Sequence, residues 1–341
     1  MRKTILTLVA FCAAMTANAT ILRVSNVNGS TAPYSTIQAA QDAANEGDTI
    51  MVDGSNTRYG LTEVKKQLVF IGPGFWINEN GLVQESAPMA IAEFLIHPGA
   101  AGTVIEGFTF KYEMTQLLTI NANGCVVRRC YFWNHGGYIA IRFSRDKVDG
   151  VYTGSNPTGG VIHQNFFADC GITASFLQGE TESNMDGTMT NVQITNNIFL
   201  KNDGTEYDIN NFSNCYIAYN TMIGSGSWKN FSTVHASTIE HNIIKDAYVK
   251  YGNIGIKDNN EWDDNIEVGV ADKAIAYQTD KDIRDLEQIK TYSANYGAFA
   301  GDSPYVLSGI PAAPVIEDLV VPTTVEAGSK MNVTIKVGIQ K

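Results

Sequence analysis

The chain has 341 residues, 44% of them hydrophobic and 17% charged, and a net charge of −11 from 24 Lys and Arg against 35 Asp and Glu. This apolar content excludes wholesale disorder. The acidic balance, with no basic patch, excludes nucleic-acid binding by phosphate neutralisation.

Met1-Arg2-Lys3 supplies a positive start, and the apolar run from Ile5 to Ala14 falls well short of the ~20 residues of a membrane span. Ala17-Asn18-Ala19 then has the small-x-small pattern of a cleavage site. Residues 1–19 are therefore expected to be a secretory signal. Cys12 follows Phe11 inside the apolar run, which does not suit lipid attachment. No later stretch has membrane-span length, so a secreted or periplasmic protein without a membrane span is expected.

A short helix is expected next. Ser35 and Gln38 form a capping-box pattern, Ile37, Ala40 and Ala44 line one helical face, and Gly47 stops the helix. Thr49-Ile50-Met51-Val52 begins a strand.

From residue 104 the chain repeats itself. Val161-Ile162-His163-Gln164-Asn165-Phe166-Phe167 matches Gln193-Ile194-Thr195-Asn196-Asn197-Ile198-Phe199, Tyr216-Ile217-Ala218-Tyr219-Asn220-Thr221-Met222 and Thr238-Ile239-Glu240-His241-Asn242-Ile243-Ile244. The stretches around Ile105 and Val127 keep the apolar positions without the Asn, and Trp262-Asp263-Asp264-Asn265 adds a weaker copy. Steps between residues 105, 127, 162, 194, 217, 239 and 262 are 22, 35, 32, 23, 22 and 23 residues. A unit of this length with strand periodicity is too short for a helix pair and lacks a leucine-rich pattern. It fits one coil of a parallel β-helix. Stacked coils would align Phe110, Phe132, Phe167, Phe199, Met222 and Ile244 in an inner file. Asn165, Asn197, Asn220, Asn242 and Asn265 would align at a corner, where Asn tolerates left-handed geometry and amides bond from coil to coil.

The Asn corner, together with the opening from Tyr34 to Ile50, resembles the right-handed parallel β-helix of the pectate-lyase-like superfamily. The resemblance implies a single-stranded all-β solenoid over residues 20–311, plugged by the N-terminal helix. The stretch from Gly297 to Pro311 resembles the ending of exported Bacteroidetes β-helix proteins with no assigned activity. Residues 312–341 read as strands over 315–321 and 331–337, too few for an immunoglobulin-like domain, and so as a hairpin-like β appendage.

Proteins of this superfamily usually bind saccharides on an outer strand face, which here would comprise 138–143, 172–177, 207–212 and 232–235. Alternation puts Ile139, Ile141, Phe143, Ile172, Ala174, Phe176, Ile209 and Val234 inside. Tyr138, Arg142, Thr173, Ser175, Asp208, Asn210, Thr233 and His235 remain outside as candidate ligand-binding residues. The two long repeat steps place insertions at 144–159 and 178–190 beside this strip, carrying Arg145, Asp146, Lys147, Asp149, Glu180, Glu182 and Asp186. They read either as a wall of the site or as solvated loops.

Catalysis has weaker support. Arg142 could serve as the base of a uronate lyase, with calcium neutralising the substrate carboxylate, or simply make a surface ion pair. Asp208 and His235 could face each other one coil apart, as a catalytic pair or a cross-strand pair. The acidic cluster of pectate lyases and the paired aspartates with Gly-His-Gly of polygalacturonases are not recognisable. The reading favours a secreted glycan-binding or envelope-associated protein with no cofactor, whose partner is a polysaccharide or cell-surface glycan. The alternative is a polysaccharide lyase or glycoside hydrolase acting on the same face. Cys125, Cys130, Cys170 and Cys215 fall at positions too far apart to bridge and should be unpaired core thiols.

Overall fold

The computed structural model describes residues 19–81, 89–111, 117–149, 151–174, 189–201, 207–224, 229–245, 260–268, 279–311, 314–320 and 333–339. The expected signal, apart from Ala19, lies outside the described residues, as do Ser175, Phe176, Leu177, Glu180, Glu182 and Asp186.

The architecture is predominantly all-β, with two large sheets of parallel strands that recur once per repeat, as in a parallel β-solenoid. The first sheet has ten strands. Its register stacks Leu22, Ile50, Phe70, Ile105, Val127, Ile162, Ile194, Ile217, Ile239 and Trp262 in one file. The seven expected repeat positions thus align, and three earlier coils join them.

The second sheet is two parallel stacks joined by long strands, Tyr131–Phe143 and Phe166–Ala174, that run through both. In the stack after the Asn corner, Phe110, Phe132, Phe167, Phe199, Met222 and Ile244 align and are all buried. The four phenylalanines stack with centroids 4.5, 4.9 and 4.6 Å apart and planes within 8° of parallel.

The corner amides form a continuous ladder. Each Asn Oδ1 accepts from the backbone N–H of the Asn one coil earlier, at 3.0, 3.0, 2.8 and 3.0 Å from Asn197 to Asn265. It also accepts from that residue's Nδ2, at 3.0, 3.0, 3.0 and 2.9 Å. Cys130 continues the file, its N–H donating to Asn165. The left-handed residue is not the Asn itself but the one before it: Arg129, Gln164, Asn196, Tyr219, His241 and Asp264 all have φ between 46° and 57°. The Asn amide is thereby turned inward, where its Nδ2 donates to a carbonyl one coil earlier, that of Val127, Ile162, Ile194, Ile217 and Ile239 in turn.

The N-terminal helix spans Ile37–Ala43, and its cap is Thr36 rather than Ser35, with Thr36 Oγ1 accepting from Ala39 N at 3.2 Å. Gln38 does not close a capping box; its Oε1 accepts from Glu63 N. Ile37, Ala40 and Ala44 are buried as expected.

From residue 279 the described chain adds two short helices, Asp280–Asp285 and Glu287–Tyr292, in place of coils. The segment 296–310 then runs back along the left-handed corner file. Tyr296 bonds Asp264, Gly297 bonds His241, Asn196 holds the carbonyls of Ala298 and Ala300, Gln164 holds those of Ser303 and Pro304, and Arg129 holds that of Ile310. This segment and the helices cover an apolar outer face made by Tyr131, Phe166, Ile198, Leu200, Ile223 and Ile243, forming a second core with Ile283, Ile289, Ala298 and Tyr305. Asp280 locks it: its carboxylate accepts from Asn80 Nδ2 (2.8 Å), Ser308 N (2.6 Å), Tyr305 Oη (3.2 Å) and Lys281 N (2.9 Å). Burial still pushes the carboxyl above its ordinary range.

Cys125, Cys130, Cys170 and Cys215 are buried and unbridged. Burial raises the thiols of Cys125, Cys130 and Cys215 to about 11, about 12 and about 11. The C-terminal strands pair antiparallel over Pro314–Val320 and Thr334–Ile339, bounds shifted slightly from 315–321 and 331–337.

Candidate functional site

The second stack of the larger sheet carries the expected outer strip. Its register places Glu63, Leu95, Thr119, Arg142, Thr173, Asn210 and Ser232 in one outward file. On one side of this file run Phe94, Leu118, Ile141, Ile172, Ile209 and Phe231, all buried, and Ile96, Ile120, Phe143 and Ala174 lie buried on the other. The structure therefore brings Arg142, Thr173 and Asn210 together at about one sheet repeat, ~4.8 Å, per coil. Arg142 is exposed and makes no ion pair among the described residues. Thr173 is buried; its hydroxyl accepts from Asn210 Nδ2 at 3.2 Å and donates to the Ala174 carbonyl at 3.3 Å.

Other candidates move off the file. Two register breaks, between Trp133 and Tyr138 and between Ile139 and Ile141, interrupt the alternation. Ile139 is only half-buried, while Ala140 is buried. The Tyr138 backbone pairs with Cys170, and the Tyr138 side chain lies outside the described residues. Thr233 adopts the left-handed region at φ 50°, as Asn211 does at 67° in the coil before. Ser232 therefore takes the file position expected of Thr233.

Asp208 is buried rather than outward and accepts from Asn230 Nδ2 at 2.8 Å. The coil draws in here because Gly171 lets the Tyr207 and Asp208 carbonyls approach where a Cβ would stand. His235 pairs with Ser213, five residues further along the strand than Asp208, roughly 15 Å away at strand rise. The two do not face each other, so the expected catalytic or cross-strand pair is not formed.

The first insertion supplies a border to the file. It folds as an antiparallel hairpin of Asp146–Val148 and Val151–Thr153. Asp146 Oδ1 anchors it, accepting from Asn121 Nδ2 at 3.2 Å and lying 3.4 Å from His97 Nδ1. Ser144 Oγ bonds Asn121 Oδ1 at 2.9 Å, and Glu63 Oε2 lies 3.7 Å from His97 Nε2. The Lys65 ammonium, 2.9 Å from Glu63, holds that carboxyl below its ordinary range. Lys147, Val148 and Val151 are exposed on the hairpin. Sequence reasoning missed Glu63, His97, Thr119 and Asn121, which belong to coils without the Asn corner; the alternation in Leu61–Val64 and Glu93–Ile96 was the available signal.

Chemically, the file offers, among the described residues, a guanidinium with no ion pair, hydroxyls, a carboxamide and a carboxylate, with Val148 and Val151 of the hairpin exposed at its border. Such a set suits hydroxyl-rich ligands and, at Arg142, an anionic substituent. Among the described residues no three His, Cys, Asp or Glu side chains converge as metal ligands, and no helix is long and apolar enough to cross a membrane. A second polar cluster, on the corner beneath the C-terminal segment, is partly covered: His241 stacks against Tyr219 and Tyr296 at 4.9 and 5.9 Å. Comparison with family models, curated proteins and solved structures finds no match to this chain.

Proposed function

We propose that the chain is an exported, right-handed parallel β-helix protein of the pectate-lyase-like kind that binds a polysaccharide or cell-surface glycan without cleaving it. In this reading the helix Ile37–Ala43 caps the first coil, residues 312–341 are an appendage, and the protein works outside the cell or in the periplasm. The observation that carries the reading is the register of Arg142, Thr173 and Asn210 on an outer face bordered by the hairpin. A saccharide laid along the file from Thr119 to Ser232 meets a polar group on each of those coils, and none of these contacts requires a reacting residue. The separation of Asp208 from His235 removes the nearest acid–base pair and favours binding over hydrolysis. The lyase alternative, with Arg142 as base and calcium on the substrate carboxylate, draws on Arg142 being unpaired among the described residues.

Retention on a panel of immobilised polysaccharides tests the reading. Reducing ends and unsaturated-uronate absorbance are followed in the same samples, with and without calcium. Retention without product is expected. Product that Arg142→Ala abolishes while retention survives would instead establish the lyase, and neither retention nor product on any glycan would end both readings.

A further inference from the structure

The outer side of the first sheet carries a histidine and a serine in direct contact. His163 ends the strand Val161–His163 and stands in register with Thr195 one coil on. Its imidazole is fixed at both nitrogens. Nδ1 lies 3.1 Å from the Thr195 carbonyl and 2.8 Å from Thr195 Oγ1, and Nε2 lies 3.0 Å from Ser303 Oγ. A carbonyl only accepts, so the proton of the neutral ring belongs on Nδ1. The Nε2 lone pair then faces Ser303, whose hydroxyl donates to it. Burial, with Arg129 and Arg128 adding to it, lowers the imidazole pKa to about 4, which keeps the ring neutral at physiological pH.

The serine is held from a second side. Gln164 Nε2 donates to the Ser303 carbonyl at 3.3 Å and to that of Pro304, while Gln164 Oε1 accepts from Arg129 Nε at 2.8 Å. Just upstream, Asn196 Nδ2 donates to the Ala300 carbonyl at 2.9 Å. These carbonyl contacts pin the segment by themselves; pinning does not need a hydroxyl aimed at an imidazole lone pair. Ser303 is nevertheless exposed, so an incoming group can reach Oγ. Among the described residues no carbonyl accepts from the N–H groups of Gly301, Asp302 and Ser303. Successive N–H groups beside a nucleophile are the donors that an oxygen turning negative requires. The positive field of Arg129 and Arg128 favours the same charge.

We propose that Ser303 is a nucleophile activated by His163, with the Thr195 carbonyl orienting the ring, and that this corner hydrolyses carboxylic esters. Ser303 Oγ adds to the ester carbonyl carbon as its proton passes to His163 Nε2. The bond to the alcohol oxygen then breaks, and the alcohol leaves with that proton. Water adds to the acyl-serine and gives a proton to His163; the acid departs as Ser303 Oγ takes the proton back. The site shares no residue with the Arg142 file, so its test is independent of the glycan reading.

The full chain is treated with p-nitrophenyl acetate and, separately, with a fluorophosphonate, and adducts are read on the peptide that contains Ser303. Both reagents should modify Ser303, and nitrophenol release should continue past one equivalent and be lost in Ser303→Ala. His163→Gln should slow the modification by about a hundredfold or more, with urea unfolding confirming that the variant is folded. In the parent the rate should be level between about pH 6 and 8, because a base with a pKa of about 4 is already deprotonated there. That measurement needs no substitution, so it decides the question even where a variant fails to fold. Absence of an adduct on Ser303 in the parent, equal rates in a folded His163→Gln, or release that stops at one equivalent would overturn the proposal. A rate that climbs in proportion to hydroxide across that pH range would overturn it as well, by leaving His163 no part in the attack.

Discussion

Along the strand Phe166–Ala174 the outward residues change character. Phe166 and Ala168 are buried beneath the C-terminal segment and join a second core with Ile198 and Ile283. Thr173, a few residues on, belongs to the file in which Arg142 is exposed. One sheet thus has a sealed outer face and an open one. On the sealed face apolar residues run without alternation, as in Phe166-Phe167-Ala168 and Ile198-Phe199-Leu200, which is the pattern of strands buried on both sides. On the open face alternation holds over Ile141–Phe143 and Ile172–Ala174, and the outer positions other than Leu95 are polar. Burial on both sides holds the sealed face in place, and the open face leaves Arg142 exposed to solvent.

The largest expected effect is on the sealed side. Asn197→Leu removes the acceptor of Asn165 N and Nδ2, and the donor to the Ile162 carbonyl and Asn220 Oδ1. Stranding these buried groups should cost about 3 kcal/mol or more in urea unfolding. A loss below ~1 kcal/mol would mean the ladder is not what aligns the coils.

Asp280→Ala should come next, at about 2 to 3 kcal/mol, because Asn80, Tyr305 and the Ser308 N–H lose their shared acceptor. Hydrogen exchange should quicken over 280–310 and stay unchanged in the first sheet. Equal acceleration in both would show that the sealed face is not a separable layer.

Acid should loosen the same layer. His163 bonds Thr195 Oγ1 at 2.8 Å and Ser303 Oγ at 3.0 Å, and burial, with Arg129 and Arg128 adding to it, lowers its pKa to about 4. An unfolded histidine takes up its proton near pH 6.5, so between pH 6.5 and 4 the unfolded chain binds more protons. The contribution is therefore complete above pH 6.5 and lost as pH falls toward 4. His163→Gln should flatten that part of the stability–pH curve; an unchanged slope would remove His163 from the account.

The solenoid was legible because its signals are local and repeated. The Asn file and its apolar partners recur at nearly fixed spacing, and each position keeps its burial from coil to coil. The first three coils were not legible, since Leu22, Ile50 and Phe70 are separated by irregular steps and lack the Asn. Arg142, Thr173 and Asn210 followed from alternation, whereas Asp208 and Thr233 did not. A register break beside Gly171 and a left-handed corner at Thr233 shift the phase there, and neither leaves a periodic mark. The covering role of 296–310 was hidden for a different reason: it acts through backbone carbonyls, which any sequence supplies.

Substitutions on the open face should barely touch stability, within about 0.5 kcal/mol for Arg142→Ala or Asn210→Ala, and this separates binding from folding. The most direct measurement compares retention of the parent, Arg142→Ala, Asn210→Ala and, from the outer side of the first sheet, Glu240→Ala on a polysaccharide that retains the parent. Retention should fall at least several-fold for Arg142→Ala and Asn210→Ala and stay at the parental level for Glu240→Ala, with all four proteins unfolding at the same urea concentration. Loss of retention in Glu240→Ala alone, or parental retention in both Arg142→Ala and Asn210→Ala, would contradict the assignment of the open file as the glycan site.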